Sequence, residues 1–252
     1  MIQTIALIIP FYNERERLNK EVLKHLAQEC KEFMHCYLID DGSTDNFIID
    51  LKNFVSKEGL KNVKVIESTK NRGKAEAIRF AVQSLSLKKY SHFGFTDADF
   101  SASPSEIVRL ARIALANPLT FVFGSRVKNT INNIETSTYR LAQGNIFNLL
   151  VSTILGNKLT DSQCGLKFFP IDFASEKDIF QKPFRNKWLL DLEIMMRISK
   201  IRRMNILEVT LNEWSHRKNS KTSLSDLPHI ISSVIWLRIR YGRITNVFIT
   251  RS

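Results

Sequence analysis

The segment Phe93-Gly94-Phe95-Thr96-Asp97-Ala98-Asp99 passes from apolar, aromatic residues typical of a short buried strand to two carboxylates one residue apart. In an open α/β sheet, ligands bind beyond the carboxyl ends of the strands. Two carboxylates at such an edge are oxygen ligands suited to Mg²⁺ or Mn²⁺ carrying a substrate diphosphate. On its own, a short Asp-x-Asp motif is more often a solvated turn or a helix cap. Its interpretation therefore depends on the rest of the chain.

The chain before this segment repeats one pattern, in which an apolar strand run is followed by a polar turn and then by helical spacing of apolar residues. The strand runs and their turns are residues 5–9 with 10–14, 37–39 with 40–45, and 63–66 with 71–74. Alternating strands and helices predict an α/β protein with a Rossmann-like, mostly parallel central sheet flanked by helices. We expect every turn of this kind to lie at the same edge of the sheet.

The turns also resemble, in order, the motifs of the family 2 inverting glycosyltransferases, which have the GT-A fold: Ile9-Pro10-Phe11-Tyr12-Asn13-Glu14, Asp40-Asp41-Gly42-Ser43-Thr44-Asp45, Asn71-Arg72-Gly73-Lys74-Ala75 and Asp97-Ala98-Asp99. The resemblance covers roughly residues 4–224. Later segments are similar to the dolichyl-phosphate β-glucosyltransferase branch of the polyprenyl-phosphate hexosyltransferases. The main alternative is the dolichyl-phosphate mannose synthase branch. These segments are residues 161–169, 190–193, 213–214 and 219–221.

The resemblance implies a donor site for a nucleotide sugar. It assigns Asp99 to the metal, Mg²⁺ or Mn²⁺, and Asp97 to the nucleotide ribose or to the water shell of the metal. Ser101 stands where several relatives have a glutamine metal ligand. The implied nucleotide-binding residues are Pro10, Tyr12, Glu14, Asp40, Asp41, Arg72, Lys74 and Asp97. Packing remains an alternative for Tyr12, and solvation an alternative for Arg72 and Lys74.

The acceptor site implied by the resemblance binds a polyprenyl phosphate. Arg126 and Arg140 match the basic positions that hold the acceptor phosphate, although each alone would more often be a surface arginine. The apolar segment 139–155 would lie against lipid, or would be a buried core helix. The catalytic residues implied are Asp97, Asp99, Asp191, Gln163 and Lys167, with Gln163 and Lys167 shaping the sugar pocket or offsetting the developing charge.

The predicted reaction is transfer of a hexose onto a polyprenyl or dolichyl phosphate. The resemblance to the β-glucosyltransferase branch implies that the hexose is glucose from UDP-glucose. A phosphate monoester is already ionised near neutral pH, so it needs no strong general base. One alternative is transfer to a saccharide hydroxyl, for which Asp191 or Glu193 would be the general base. The alternative from another class is a nucleotide-sugar-binding protein without catalysis, against which the intact Asp-x-Asp motif argues.

Composition places these motifs in one large domain. The chain has 252 residues, of which 44% are hydrophobic, and it has no internal repeat or low-complexity tract; one α/β domain is reasonable at this length. We divide it into a catalytic domain at residues 1–224 and a basic amphipathic segment at residues 225–252. The three cysteines have no metal-binding spacing and are expected to be reduced, as in the cytosol.

Charge is concentrated in the last part of the chain. The formal net charge is +12, and residues 197–252 hold eleven Lys and Arg against three Asp and Glu. Within this part, Trp236 and several aliphatic residues interleave with Arg238, Arg240 and Arg243, a pattern suited to an anionic membrane surface. A helix packed on the domain with a solvated basic face is a compatible alternative. No nucleic-acid-binding motif accompanies the charge, so we expect no nucleic-acid partner.

No apolar run reaches the length of a membrane span, and no secretory signal is recognisable at the N-terminus;. We therefore expect a peripheral protein at the cytoplasmic face of a membrane, without a signal peptide or a transmembrane helix.

Overall fold

The computed structural model describes residues 4–85, 87–135, 138–156, 158–174, 177–185, 189–201, 203–215 and 227–252. The strands are β1 Ile5–Phe11, β2 Met34–Asp40, β3 Val63–Glu67, β4 His92–Phe95, β5 Phe121–Ser125, β6 Asn133–Ile134, β7 Lys167–Pro170, β8 Met204–Thr210, β9 Glu213–Trp214 and β10 Val247–Arg251. The α-helices are α1 Lys20–Glu29, α2 Phe47–Lys57, α3 Lys74–Ser84, α4 Pro104–Ala116, α5 Thr138–Leu155, α6 Lys177–Phe180, α7 Leu190–Ile201 and α8 Leu227–Tyr241.

Eight strands form one sheet in the order β10-β8-β5-β7-β4-β1-β2-β3. All neighbours pair in parallel except β7, which runs antiparallel to both β4 and β5. Strands β6 and β9 pair separately as a small parallel ladder. The predicted mostly parallel α/β sheet is confirmed, and its central strands are fully buried because helices cover both faces;.

The first strand extends further than its sequence predicted. The apolar run was expected to end before Pro10, but β1 continues through Pro10 to Phe11 and pairs with β2 along its whole length. Backbone groups of β1 alternate in direction, since the Ile8 carbonyl accepts from Thr96 on the β4 side and the Phe11 carbonyl accepts from Asp41 on the β2 side. The backbone of Pro10 therefore faces the β4 side. The last residue of β1 that pairs with β4 is Ile8, so the N–H that Pro10 lacks is not needed for the sheet;.

Two hydrophobic clusters fill the two faces of the sheet. Alternate residues of β1 belong to different clusters, with Ile5 and Leu7 on one face and Ala6 and Ile8 on the other, because side chains of a strand alternate in direction. Aromatic rings dominate one cluster. The ring of Phe169 lies at its centre and contacts the rings of Phe93, Phe95, Phe121 and Phe123.

The C-terminal segment is joined to this sheet. Strand β10 pairs with β8 and forms one edge, which the sequence pattern did not predict. Helix α8 packs against α5 and α7, with Val234 and Leu237 fully buried. The proposed division at residue 224 therefore separates a segment whose strand belongs to the same sheet as the preceding domain. Within the described ranges, every helix is too short or too polar to cross a lipid bilayer.

Candidate active site

The polar turns meet at one edge of the sheet, as parallel strand ends require. The turn after β1 is tied to the turn after β2, because the Asn13 side chain accepts from the Thr44 backbone N–H at 2.8 Å and the Asn13 N–H donates to Ser43 Oγ at 3.0 Å. Asn13 has a φ of 51°, a left-handed conformation that asparagine tolerates;. Pro10 is buried in β1, and Tyr12 is half-buried directly after it.

Asp40 and Asp41 are buried and organise the backbone of these turns. Asp40 Oδ1 accepts from the backbone N–H and the hydroxyl of Ser43. Asp41 accepts from the backbone N–H groups of Arg72 at 3.0 Å and Gly73 at 2.6 Å. Burial raises the pKa of Asp41, and the two backbone donors offset part of that rise. The predicted nucleotide-binding acids thus also fix the turn that carries Arg72, whose side chain is exposed.

A glycine is needed between this pair of acids and the neighbouring turn. Gly42 has a φ of 73°, and a Cβ there would lie 2.8 Å from the backbone nitrogen of Asn71. No other residue fits both the left-handed backbone and the close approach.

Asp97 is paired with Lys74 and lies within the electrostatic influence of two further cations. Its Oδ1 accepts from Lys74 Nζ at 2.6 Å. Burial alone would raise the pKa of Asp97, but the charges of Lys74, Arg126 and Lys167 outweigh it and the net pKa is lowered. Burial likewise disfavours the charged form of Lys74, but the carboxylates of Asp97 and its acidic neighbours outweigh it and raise the pKa of the amine. Both groups are therefore charged at neutral pH.

Asp99 is held on both of its oxygens. Ser101 donates its backbone N–H and its hydroxyl to Asp99 Oδ1, at 3.1 and 2.9 Å. Arg17 Nη2 donates to Asp99 Oδ2 at 2.5 Å, and Arg17 Nη1 donates to Glu14 Oε1 at 3.2 Å. Through Arg17, which the sequence did not single out, the structure links the predicted nucleotide-binding residue Glu14 to the predicted metal ligand Asp99.

Lys167 is a fully buried lysine beneath the same edge. Its Nζ lies 2.9 Å from Asp191 Oδ1, donates to the Cys164 carbonyl and lies 5.3 Å from the centre of the Phe123 ring. The predicted catalytic residues Lys167 and Asp191 therefore form an ion pair. Burial raises the pKa of the Cys164 thiol to about 12, so it is a neutral packing residue at physiological pH;.

Gln163 belongs to the same segment and has an unusual environment. Its Nε2 is buried without a hydrogen-bond partner among the described residues, and so are the hydroxyls of Ser162 and Ser125. Buried polar groups are normally paired, so these three groups can bond to water or to a bound ligand.

Arg126 is committed to an acidic partner. It forms a two-pronged ion pair with Asp161, at 2.6 Å from Nε and 2.8 Å from Nη2, and its backbone N–H donates to the same carboxylate. Its guanidinium also lies 5.2 Å from the centre of the Trp214 ring. Arg140 lies in α5, but its side chain is outside the described residues, as are residues 219–221 of the resemblance.

The Arg126–Asp161 pair predicts a pH-dependent stability. Burial alone would raise the pKa of Asp161, but Arg126 outweighs it and the net pKa is lowered. The stability that this carboxylate contributes is complete above its unfolded pKa of about 3.9 and is lost as the pH falls through the folded pKa. Asp161→Asn should therefore cost about 2 kcal/mol at pH 7, somewhat less than a fully buried pair because Arg126 is partly exposed. Urea unfolding should show that the difference in unfolding free energy between the wild type and Asp161→Asn is smaller at pH 3 than at pH 7. An equal difference at both pH values would contradict a stabilising Asp161 carboxylate.

Three site residues were missed from the sequence: Arg17, Asp161 and Gly165. Arg17 and Asp99 are 82 residues apart, and no local pattern links them. A Cβ on Gly165 would lie 2.1 Å from Asp97 Oδ2, so Gly165 lets the Asp97 carboxylate approach the backbone. Residues 161–169 of the resemblance include both Asp161 and Gly165, but only the fold shows what they contact.

A mostly parallel sheet with acidic turns and an Asp-x-Asp turn gathered at one edge is the arrangement of a GT-A glycosyltransferase. A family model described as Glycosyl transferase family 2 matches residues 6–174, which is more than half of the chain. The chain belongs to this family and is a glycosyltransferase, as the order of its motifs predicted.

Two named relatives carry the name of the predicted branch, and a third is a transferase named for another polyprenyl phosphate. The chain is 26% identical to the dolichyl-phosphate beta-glucosyltransferase of Dictyostelium discoideum over 94% of this chain and 74% of that protein, and equally identical to the human protein of the same name over 94% and 75%. It is 30% identical to the undecaprenyl-phosphate 4-deoxy-4-formamido-L-arabinose transferase of Pseudomonas fluorescens, over 67% of this chain and 47% of that protein.

Solved structures of the same fold include the glucosyl-3-phosphoglycerate synthase of Mycobacterium tuberculosis, in complex with Mn²⁺, UDP and glucosyl-3-phosphoglycerate. It superposes with a TM-score of 0.64 at 16% identity and covers 96% of this chain and 81% of its own. This likeness confirms the GT-A fold.

Proposed function

We propose that this glycosyltransferase moves a hexose, with glucose from UDP-glucose as the first candidate, onto a polyprenyl phosphate at a membrane surface. The observation that carries the proposal is the set of three ion pairs at this edge of the sheet, Lys74 with Asp97, Arg126 with Asp161 and Lys167 with Asp191, whose three cations also lower the pKa of Asp97. Such an edge suits two phosphorylated ligands, a nucleotide diphosphate and a lipid phosphate. The names of the relatives support glucose and dolichyl phosphate.

The donor would bind across the turns after β1, β2, β3 and β4. Asp40 and Asp41 present a prebuilt turn for the base and ribose, and Arg72 and Lys74 follow on the next turn. Lys74 forms an ion pair with Asp97 and would face the diphosphate. Gln163, with an unpaired buried amide, is the candidate for a hydrogen bond to a sugar hydroxyl.

The acidic turn fits a divalent cation that arrives with its substrate. Mg²⁺ sites commonly use one or two carboxylates, with water and substrate phosphates as the other ligands. In the part of the chain that the structure describes, no three His, Cys, Asp or Glu side chains gather as in an all-protein metal site. Asp99 and Asp97 would therefore hold Mg²⁺ or Mn²⁺ together with the diphosphate. When bound, such a cation supplies Lewis-acid neutralisation of the leaving diphosphate.

The ion pairs of the site favour a phosphate acceptor over a saccharide hydroxyl. A hydroxyl acceptor needs a general base, and both candidates are engaged. Asp191 is paired with buried Lys167. Glu193 is fully buried and accepts from Arg197 at 2.7 Å. A phosphate acceptor is ionised already and needs neither base. Arg126 is the residue predicted to bind the acceptor phosphate, and Asp161 fixes the direction of its guanidinium.

The membrane part of the proposal rests on exposed aliphatic residues of two helices that pack together. Ile146 and Leu149 of α5 and Ile235 and Ile239 of α8 are exposed, and Arg238 and Arg240 are exposed beside them. The tryptophan of this helix was expected on the lipid side, but Trp236 is half-buried, packs against the core and lies 4.8 Å from the Arg185 guanidinium. The surface offered to lipid is therefore aliphatic and basic.

Membrane binding should depend on both parts of this surface. Arg238 and Arg240 together should contribute about 2 kcal/mol near an anionic bilayer, so replacing both by glutamine should weaken binding to phosphatidylglycerol vesicles about 30-fold at low salt. Ile239→Ser, at a side chain 79% exposed, should also weaken binding. Ile49→Ser, at a position 56% exposed on α2, is the matched control and should not. Vesicle co-sedimentation that is equal for all variants would contradict this surface.

The reaction itself is tested by incubating the protein with a panel of nucleotide sugars, Mn²⁺ and a polyprenyl phosphate, and analysing the lipid fraction by mass spectrometry. We expect one hexose added to the phosphate, most from UDP-glucose. Parallel reactions with free saccharides test the hydroxyl alternative. Nucleotide-sugar binding by calorimetry, with no product in any reaction, would instead support the non-catalytic alternative.

A further inference from the structure

Arg17 is paired with Oδ2 of Asp99, the predicted metal ligand. Its guanidinium lies between two carboxylates, with Nη2 at 2.5 Å from Asp99 Oδ2 and Nη1 at 3.2 Å from Glu14 Oε1. The arginine is mostly buried, and so are both acids. Solvent screens the attraction within a mostly buried ion pair less than the attraction within a surface pair.

The two oxygens of Asp99 differ in what they can offer. Oδ1 accepts two hydrogen bonds from Ser101, one from the backbone and one from the hydroxyl. The backbone bond fixes this oxygen toward the protein, since it is part of the turn after β4. Oδ2 is the oxygen directed at Arg17. A cation that binds Asp99 through Oδ2 therefore competes with the arginine for this oxygen.

We infer that Arg17 is a resident cation that competes with the divalent metal for Asp99 and lowers the affinity of the nucleotide-free protein for that metal. This inference rests on the proposed metal dependence. The diphosphate supplies the additional ligands that make displacement of the arginine favourable, so the metal binds together with the nucleotide. Arg17 is a positioning residue in this account, because it acts through Asp99 and not on the substrate.

Glu14 makes the displacement feasible. Arg17 is bonded to Glu14 through a different nitrogen from the one that holds Asp99. When Arg17 leaves Asp99, the guanidinium keeps this second carboxylate as its partner, so no buried charge is left uncompensated. The family motif that ends at Glu14 is thereby connected to the metal turn.

The chain offers a matched control two residues away. Arg15 forms an ion pair with Asp50 at 2.9 Å, and both side chains are about half exposed. Arg15→Gln removes the same charge from the same segment without touching Asp99. A general field effect of one positive charge would appear in both variants, whereas competition for Asp99 Oδ2 would appear only at Arg17.

The test measures binding of Mn²⁺ to the nucleotide-free protein by electron paramagnetic resonance, which reports free Mn²⁺ directly. We expect Arg17→Gln to bind Mn²⁺ about tenfold more tightly than the wild type, a difference of about 1.4 kcal/mol. Arg17→Lys, which keeps the charge but not the planar fork, should give a smaller gain. Arg15→Gln should match the wild type, and thermal unfolding should show that all variants are folded.

Unchanged or weaker Mn²⁺ binding in both Arg17 variants, beside a wild type that binds Mn²⁺ with UDP, would overturn the inference while leaving the proposed function intact. Equal strengthening by Arg15→Gln would overturn it as well, since it would show a field effect. A wild type that binds no Mn²⁺ even with UDP would overturn the proposed metal dependence and the inference together.

Discussion

Replacing Asp99 by asparagine should lower transfer at least about a thousandfold and abolish Mn²⁺ binding in the presence of UDP. The amide has nearly the shape of the carboxylate, so the hydrogen bond from the Ser101 backbone to Oδ1 can persist. What is lost is the negative charge that would hold the cation on the diphosphate. A Lewis acid contributes several kcal/mol to a transition state that develops such charge, and about 4 kcal/mol corresponds to about a thousandfold in rate.

The matched control for this variant is Asp50→Asn, which removes a carboxylate on α2 from its ion pair with Arg15. It should leave both transfer and Mn²⁺ binding unchanged. Product formation by Asp99→Asn within tenfold of the wild type, or full wild-type activity in EDTA, would contradict the metal assignment. Circular dichroism and thermal unfolding separate loss of the site from loss of the fold.

The fold was largely predictable because its central strands are buried on both faces. Such strands appear in the sequence as short continuous apolar runs, and each of the first ones ends in a polar turn. The structure confirms these strands and gathers their turns at one edge. Strand β10 escaped prediction because an edge strand of a few residues, half exposed, resembles a basic amphipathic tail in sequence.

The reversed strand was also invisible in the sequence. Strand β7 lies between β4 and β5 and runs antiparallel to both, although it follows β5 by about 40 residues. No local periodicity reports such an insertion. Its consequence for the site is large, because it pairs Lys167 with Phe95 at the end of β4 and places Gly165 against Asp97.

Residue types in the site were predicted better than their partners. The motifs named Lys74, Asp97, Lys167 and Asp191 as separate candidates, and the structure joins them as two ion pairs. The sequence could not show that Asp99 is paired with Arg17, since ion pairs form between side chains far apart along the chain. The roles of these residues in catalysis and binding stay predictions.

Gly165→Ala should lower kcat/KM at least about a hundredfold, because the added methyl group displaces the Asp97 carboxylate. The added Cβ would lie 2.1 Å from Asp97 Oδ2 and 2.9 Å from Asp97 Cγ, closer than van der Waals contact allows. Asp97 cannot turn away freely, because Lys74 holds its other oxygen at 2.6 Å. Either the carboxylate leaves Lys74 or the backbone beside Lys167 shifts, and both disturb groups that must be held within about 0.5 Å.

Gly144→Ala is the control for this substitution, since a Cβ there would meet nothing within 4 Å, and it should keep full activity. A double-mutant cycle tests the clash even where Gly165→Ala is unstable. Asp97→Ala removes the atoms that the new methyl group meets, so the stability cost of Gly165→Ala in urea unfolding should largely disappear in the Asp97→Ala background. An equal cost in both backgrounds would show that Gly165 is needed for its backbone alone, and wild-type activity in Gly165→Ala would show that Asp97 can move without consequence for transfer.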